Sequence, residues 1–369
     1  MQLLFKLAVL GLRFTYFFFK LFLKPRNKIT FLSRQCNTPS VDFEYLENAI
    51  KQSAFTGETK MLCKMIAPSL MGKIAYAFHI LAQMYHIATS KVVVIDGYNI
   101  AVCVLKHKKE QSFVQLWHAL NIVKKFGYSA LDKPWGHKAS TAKAMCMHKN
   151  YTHIVACSEH SGKVLCECFG ATSDKVVLLP LPRVEYIIAS PENHQDIEKE
   201  YPKIFAKPIL LYAPTFRGEA VDLSWIGKTV DFEKYNVVVK LHPADKFGLS
   251  SDVDKRVICD EKFSSFEWMK VCDSLVTDYS GMGFEAMLRS KKVYYYLYDY
   301  EEYSKKCGLN LDLFSEDVSR VVTTENLKLK ELLENDYDFS ATENFVKKYL
   351  SVPACDCSRR LAEFVISLI

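Results

Sequence analysis

The chain has 369 residues, of which 49% are apolar and 13% aromatic, so a large hydrophobic core is available and wholesale disorder is excluded. That length suits two domains of ordinary size. The net charge of +6 excludes the dense basic stripe of a nucleic-acid binder but suits anionic substrates or an anionic membrane surface. The 12 cysteines include no Cys-x-x-Cys pair, which indicates reduced thiols in the cytosol.

The first 27 residues are predicted to form a membrane-associating amphipathic helix. Met1 to Leu23 is rich in Leu and Phe, and three cations at seven-residue spacing share one helical face, opposite an apolar one: Lys6, Arg13 and Lys20. The pattern predicts a helix in the plane of the membrane interface, with its basic side toward the cytoplasm, and thus a peripheral protein on the cytoplasmic face. A spanning helix, a docking helix and a signal peptide remain alternatives.

Buried strand-like runs alternate with helical patterns along the rest of the chain. Strands are predicted at Ile29–Leu32, Val92–Ile95, Phe113–Leu116, Ile154–Ala156, Val176–Leu179, Ile209–Tyr212, Val237–Val239, Val257–Ile258, Ser274–Thr277 and Val293–Tyr296. Helices are predicted at Leu46–Gln52, Met71–Ile87, Lys138–His148 and Ser161–Phe169. This alternation is typical of parallel sheets covered on both faces. We expect α/β domains at 28–200 and 206–350, followed by a C-terminal helix at 351–369.

His118 follows the third predicted strand and is expected to precede a helix that contains Lys124–Gly127. A histidine at a strand end can act as a general base with little adjustment of its pKa. The alternative is a core histidine whose hydrogen bonds are satisfied beside Trp117.

Two strand ends in the second domain carry basic side chains. Arg217 closes the loop after the strand at Ile209–Tyr212, and its guanidinium suits bidentate contact with phosphate. Lys240 and His242 follow the next strand, and Pro243 holds His242 extended, so that its ring projects from the strand end toward a phosphate oxygen. A surface arginine and a strand-capping histidine are the alternatives.

The segment Thr277-Asp278-Tyr279-Ser280-Gly281 joins a buried strand to a helical pattern at Gly283–Leu288. Backbone N–H groups and the dipole at such a helix start form an anion site, here for a nucleotide diphosphate. Gly281 allows a phosphate to approach closely, Ser280 adds a hydroxyl donor, and Glu285 is placed to accept from ribose hydroxyls. An ordinary helix cap is the alternative. The later stretch Asp299–Tyr303 is expected to be a solvated helix start.

No metal-binding cluster is visible: His-Glu-x-x-His and the P-loop lysine pattern are both missing from the sequence. We therefore expect a transfer reaction without metal or cofactor, in which His, Arg, Lys and a helix N-terminus handle the charge.

The order of these motifs resembles the CDP-glycerol glycerophosphotransferase family, the primases and polymerases of teichoic acids and related capsules. The segments that carry the resemblance are Lys28–Gln35, Gln115–His118, Leu211–Arg217, Lys240–Pro243, Thr277–Gly281 and Asp299–Tyr303. The resemblance implies a GT-B architecture, in which two Rossmann-like domains face each other across a cleft and the C-terminal one holds CDP. It also implies peripheral membrane attachment. Arg183 lies at the position of a family Arg, in Pro180–Glu185, and would bind substrate.

The resemblance implies transfer of a polyol phosphate, most simply glycerol phosphate, from CDP-glycerol or CDP-ribitol to a lipid-linked acceptor, with release of CMP. His118 would remove the proton from the acceptor hydroxyl, while Arg217, His242 and the Ser280–Gly281 helix start would stabilise the leaving phosphate. The family pattern has Gly-Thr where this chain has Ala119-Leu120, so the acceptor side can differ. A GT-B glycosyltransferase using a nucleotide sugar and a catalytically silent membrane-bound binding module remain alternatives.

Overall fold

The computed structural model describes residues 2–242, 245, 248–249 and 253–369, which form two compact units. The first unit contains residues up to Leu120 together with Lys125–Tyr186 and Tyr349–Ile369. The second contains Asn121–Lys124 and Ile187–Lys348. Each unit is built on a six-stranded parallel sheet, so the predicted α/β class with two parallel-sheet domains is confirmed.

The sheet of the first unit has the strand order β2-β1-β3-β4-β5-β6. The strands are β1 (Arg26–Ser33), β2 (Glu58–Cys63), β3 (Ser90–Ile95), β4 (Ser112–Gln115), β5 (His153–Ala156) and β6 (Val176–Leu178). The order reverses between β1 and β3, where the chain winds first to one side and then to the other. In open α/β sheets, ligands bind outside the carboxyl ends of the strands at such a switch point.

The second sheet has the order β12-β11-β10-β7-β8-β9, with its switch point between β7 and β10. Its strands are β7 (Ile209–Ala213), β8 (Asn236–Val239), β9 (Val257–Cys259), β10 (Ser274–Thr277), β11 (Lys292–Tyr296) and β12 (Val322–Thr323). The central strands β7 and β10 are buried along their whole length, because helices cover both faces of the sheet.

Helices connect the strands in both units. Those of the first 190 residues are α1 (Gln2–Phe22), α2 (Val41–Gln52), α3 (Leu70–Thr89), α4 (Ile100–Val104), α5 (Ala139–Ala144), α6 (Glu159–Phe169) and α7 (Pro182–Ala189). They are followed by α8 (His194–Glu200), α9 (Ile226–Thr229), α10 (Ser265–Val271), α11 (Met282–Leu288), α12 (Tyr300–Cys307), α13 (Asn326–Glu334), α14 (Phe339–Tyr349) and α15 (Cys357–Ser367). Side-chain caps fix several helix starts; Ser40, for example, accepts from Phe43 N at the start of α2.

Every predicted strand is present, whereas β2 and β12 were not predicted. The helix predicted at Lys124–Gly127 is wrong: Lys124 forms an isolated antiparallel bridge with Leu309, and Gly127, with a positive φ of 56°, begins a short 3-10 turn. The helix predicted at Lys138–His148 is shorter, because Cys146 and His148 also have positive φ.

The two units divide the chain earlier than the predicted boundary near residue 200. Arg289 explains part of this difference, since it donates to the carbonyl oxygens of Ile187 and Ser190 at 2.7 and 3.2 Å and so fixes that segment to the second unit. The C-terminal helix α15 packs instead on α2 of the first unit, where Ser358 donates to Glu185.

The N-terminal helix α1 turns its cations toward the first unit and its apolar side outward. Arg13 donates to the carbonyl oxygen of Val104 at 2.8 Å, and Lys20 to that of His107 at 3.2 Å. Helix α3 packs beside it and is also exposed. We call the exposed large side chains of both helices the α1–α3 apolar surface: Leu7, Leu10, Phe14, Phe17, Leu21, Phe22, Leu70, Met71, Ile74 and Phe78. Within the described residues, no helix is long and apolar enough to cross a membrane.

Candidate active site

His118 lies at the switch point of the first sheet. Its ring reaches from the loop after β4 to the carboxyl ends of β3 and β1, where Nδ1 lies 2.9 Å from the carbonyl oxygen of Asp96 and 3.5 Å from Gln35 Nε2. Trp117 precedes it with a positive φ of 60°. Backbone strain of this kind concentrates at functional sites, because it fixes a side chain in an orientation that a relaxed loop would not hold.

The hydrogen bond to Asp96 fixes the tautomer of His118. A carbonyl oxygen can only accept, so Nδ1 carries the proton and Nε2 keeps its lone pair. His118 keeps part of its surface exposed, but partial desolvation of its ring lowers its pKa below the usual 6.5. The bond to Asp96 opposes this shift, and the nearby Arg183 lowers the pKa further. The imidazole is therefore neutral at pH 7, as a general base must be.

Arg183 holds the loop of His118 from behind. Its guanidinium donates to the carbonyl oxygen of His118 at 2.7 Å and forms an ion pair of 2.6 Å with Asp42, which is buried. The sequence predicted that Arg183 binds substrate directly. In the structure these contacts position His118, and the predicted contact of Arg183 with substrate stays a prediction.

Arg217 occupies the switch point of the second sheet, at the center of a buried ion-pair cluster. It pairs with Asp278, which follows β10, and with Asp299, which follows β11, each at 2.7 Å. Although burial opposes the charged form, these carboxylates raise the pKa of Arg217 above its ordinary value. The rings of Tyr279 and Tyr303 stack at 3.9 Å beside it. These contacts of Arg217 join the ends of three neighbouring strands, and its predicted phosphate contact stays a prediction.

Of the other candidate residues in the second unit, Lys240 is held inside the fold, whereas His242 lies on the surface. Lys240 forms an ion pair with buried Asp260 at 2.9 Å and thus does not project from the sheet. His242 is exposed, and its ring centroid lies 6.1 Å from that of Phe216; its pKa is lowered by desolvation and by Lys124. Pro243, which the sequence argument used to orient His242, lies outside the described residues.

The predicted anion-binding segment likewise contains both buried and partly exposed side chains. Thr277 donates to the carbonyl oxygen of Ala213, and Asp278 accepts from Thr215 N at 2.9 Å, so both side chains join β10 to β7 inside the core. Ser280, Gly281 and Glu285 are half-buried, at and just inside the start of α11. With seven residues, α11 is too short for its N-terminus alone to define an anion site.

Two residues that the sequence reasoning did not select lie at this helix start. Asn121 is 3% exposed, and in the described part of the chain neither its Oδ1 nor its Nδ2 has a hydrogen-bond partner. Its Oδ1 lies 3.4 Å from the place where a β-carbon on Gly281 would stand. Lys124 lies nearby, with Nζ 5.6 Å from the ring of Tyr303, and burial lowers its pKa. Of these two residues, only Lys124 could have been noticed in the sequence, because it belongs to the basic pair Lys124–Lys125.

A third unsatisfied group lies close to these residues. The hydroxyl of Thr215, at the end of β7, is buried without a partner among the described residues, although its backbone N–H binds Asp278. Buried polar atoms are nearly always hydrogen-bonded, so such a concentration of exceptions at a strand switch point indicates a site for a polar ligand.

The chain is similar to several known proteins. The family described as CDP-Glycerol:Poly(glycerophosphate) glycerophosphotransferase matches residues 14–367. A teichoic acid ribitol-phosphate primase from Bacillus spizizenii is 28% identical over 93% of this chain and 92% of its own length. A teichoic acid glycerol-phosphate primase from Bacillus subtilis is 26% identical over 95% of each chain. The wall teichoic acid polymerase TagF has a similar fold, with a TM-score of 0.67 at 15% identity, over 99% of this chain and 97% of its own.

Because the family match covers nearly the whole chain, the protein belongs to the CDP-glycerol glycerophosphotransferase family, and the predicted family and class of transferase are confirmed. Among the described residues, no group of three or more His, Cys, Asp or Glu side chains is arranged to hold a metal ion. Independence from metal and cofactor stays a prediction.

Proposed function

We propose that this family member transfers a polyol phosphate from a CDP-alcohol to a hydroxyl of a lipid-linked acceptor. The acceptor oxygen forms a bond to the phosphorus that carries the polyol, the bond from that phosphorus to the bridging oxygen breaks, and CMP leaves. Glycerol phosphate is the simplest donor group, with ribitol phosphate as the alternative, because the relatives include primases of both kinds.

The geometry of His118 is the observation that carries this proposal. A neutral ring whose proton is fixed on Nδ1 presents Nε2 as a base for the acceptor hydroxyl. General-base assistance typically contributes about 10²–10⁴ in rate, so its loss is readily measured. The step requires both units to reach one donor molecule, so the predicted facing arrangement of the two domains is part of the proposal.

The donor's diphosphate is assigned to the switch point of the second sheet. Asn121, Thr215 and Ser280 offer neutral hydrogen-bond donors there, and Lys124 offers a positive charge. Phosphoryl transfer depends mainly on positioning and on charge stabilisation, and this group can supply both. His242 remains a candidate for stabilising the leaving phosphate, while Arg217, Lys240, Thr277 and Asp278 hold the strand ends in place.

The α1–α3 apolar surface supports attachment to the cytoplasmic face of a membrane. Phe14 and Phe78 are 65% and 68% exposed, on two helices that pack against each other. An exposed apolar area of this kind, on helices with lysines at their margins, suits an anionic bilayer, where a lipid-linked acceptor is also found. Phe14→Asp and Phe78→Asp should each weaken co-sedimentation with anionic vesicles. Leu327→Asp, at a 76% exposed position of α13, is the matched control and should bind as the wild type.

The activity test uses the purified full chain with CDP-glycerol or CDP-ribitol and a short-chain prenyl-diphosphate-linked sugar acceptor. We expect release of CMP and a product heavier by one or more polyol phosphates, measured by mass spectrometry. UDP-sugars serve as controls for the glycosyltransferase alternative. Sugar transfer from them, without any transfer from either CDP-alcohol, would overturn the proposal.

A further inference from the structure

A second cavity lies beside His118, entirely within the first unit. Its volume is about 260 Å³, near the low end for small-ligand pockets, and it suits one sugar or polyol unit rather than a whole nucleotide. Among its lining residues are Arg34, Tyr98, Trp117, Lys125, Phe126 and Trp135. None of these residues belongs to the donor site described above.

Aromatic rings form much of the wall. Trp117 stacks on Phe126, with ring centroids 4.1 Å apart and an interplanar angle of 10°. The ring of Tyr98 lies under the guanidinium of Arg34 at 5.2 Å. Flat rings pack well against the C–H faces of a sugar or polyol, whose hydroxyl groups then point toward polar neighbours.

The same cavity is positively charged. Arg34 and Lys125 line it, and no carboxylate does so among the described residues. His148 completes the wall as a neutral ring, since burial lowers its pKa to about 3. Cations in a partly enclosed space without acidic partners attract an anionic group.

One hydrogen-bond donor in this wall is unsatisfied. The indole Nε1 of Trp135 is buried and has no partner within the described part of the chain. A buried donor without a partner costs stability, so its retention in a cavity wall is consistent with a polar ligand or water that binds there.

The cavity is joined to the proposed base by two residues that belong to both. Gln35 lines the cavity and lies 3.5 Å from His118 Nδ1, while the ring centroid of Trp117 lies 4.1 Å from that of His118. A ligand held against Trp117 is therefore a neighbour of the imidazole.

We propose that this cavity binds the terminal unit of the acceptor, a polyol or sugar that carries a phosphate or phosphodiester. The rings of Trp117 and Trp135 contact its carbon skeleton, Arg34 and Lys125 bind the phosphate, and one hydroxyl faces His118. The inference rests on the proposed function, and it adds the place where the acceptor is recognised.

Kinetics test the assignment by separating the two substrates. Trp135→Ala and Lys125→Met should each raise the KM for the prenyl-linked acceptor about tenfold or more, while the KM for CDP-glycerol stays within about twofold of the wild type. Lys149→Met, which removes an exposed lysine that does not line the cavity, is the matched control and should change neither value. Equal acceptor KM values in folded Trp135→Ala and wild type would overturn the assignment.

Direct binding provides a readout that does not require turnover. Tryptophan fluorescence is titrated with glycerol 3-phosphate, N-acetylglucosamine 1-phosphate and inorganic phosphate, first on the wild type and then on Trp135→Phe and Lys125→Met. Saturable binding of one organic phosphate, weakened about tenfold in Lys125→Met, supports the proposal and identifies the acceptor unit. Equal affinity for inorganic phosphate indicates a plain anion site and overturns it.

The two proposals fail in distinguishable ways. If the wild type releases no CMP from either CDP-alcohol, the proposed function fails, although the titration still reports on the cavity. If the wild type turns over and the cavity variants keep the acceptor KM of the wild type, only the assignment of the cavity fails.

Discussion

At the carboxyl ends of their strands, the two units differ in whether the named cations have acidic partners. In the second unit, Arg217 and Lys240 are each held by buried carboxylates, at 2.7 and 2.9 Å. In the first unit, Arg34 and Lys125 line a cavity, and neither forms an ion pair with any described carboxylate. Charges that are paired internally fix the shape of a site, whereas charges without an acidic partner remain available to a ligand.

A basic residue at a strand end is therefore not by itself a phosphate ligand. Arg183 in the first unit is a further example, since its ion pair with Asp42 helps to position His118. The chemistry is then left to groups that keep unused hydrogen-bonding capacity: the Nε2 atom of His118, the amide of Asn121 and the indole of Trp135.

The largest expected effect is loss of the base. His118→Ala should lower turnover of the CDP-alcohol by about 10²–10⁴, because the acceptor hydroxyl then loses its proton without assistance. Binding of CDP, measured by calorimetry, should persist. His194→Ala, in an exposed loop-end pair with Glu192, is the control and should keep full activity. Near wild-type turnover of His118→Ala would remove this histidine from the mechanism.

Substitution of Arg217 tests whether the cations held in ion pairs stabilise the fold rather than bind the ligand. Arg217→Ala leaves Asp278 and Asp299 buried without their counter-ion, so the free energy of unfolding should fall by about 3–5 kcal/mol. Urea denaturation measures this change. Arg256→Ala removes an exposed arginine paired with Asp254 and should leave the stability close to that of the wild type. A variant of Arg217 that is as stable as the wild type, yet fails to bind CDP, would make this residue a direct ligand.

His148, which lines the cavity of the first unit, gives a prediction about the pH dependence of stability. Its folded pKa is lowered from 6.5 to about 3, so between these values the unfolded chain binds a proton that the folded chain does not. Stability is therefore lost as pH falls below 6.5, by about 1.4 kcal/mol per pH unit from this residue.

The measurement is urea denaturation at pH 7 and 5.5. His148→Phe should show a pH-dependent loss smaller than that of the wild type by about 1–1.4 kcal/mol, because its share of the proton uptake is gone. The variant serves as its own control at pH 7. Identical pH dependence in both proteins would contradict a neutral, buried His148.

The smallest effect is expected at Asn121. Asn121→Ala should weaken binding of CDP about tenfold, because one charge-assisted hydrogen bond is lost, while stability changes little since the amide has no internal partner. Asn99→Ala is the matched control: this buried Asn caps α4 through Val102 N, so its loss should cost about 1 kcal/mol of stability and no CDP affinity. If both variants behave alike, Asn121 is structural.

The sequence was most informative about the strands that are buried on both faces. Runs such as Val92–Ile95 identify themselves because only apolar residues suit that environment. Strand β2 (Glu58–Cys63) is a half-buried edge strand of mixed composition and leaves no comparable signal. The expected helix after His118 is absent because Lys124 forms a bridge with the distant Leu309 and Gly127 adopts a positive φ, and no local pattern reveals such a tertiary contact.

Within the candidate site, the positions could be predicted better than the roles. Ser280 and Gly281 do lie at a strand-to-helix junction, as their sequence pattern indicates. The role of Arg217 depends on Asp299, a partner 82 residues away, which no local pattern reveals. Asn121 could not be selected, because an asparagine becomes informative only when its neighbours are seen to leave its amide unsatisfied.

The return of α15 to the first unit sets an order for synthesis. Residues 187–348 emerge from the ribosome as a continuous block and can fold while the chain is still growing. The first unit, in contrast, needs Cys357–Ser367 against α2, and Lys91 must bind the carbonyl oxygen of Ile369. The half of the enzyme that is translated first is thus the half that matures last, because its packing is incomplete until α15 has been synthesised.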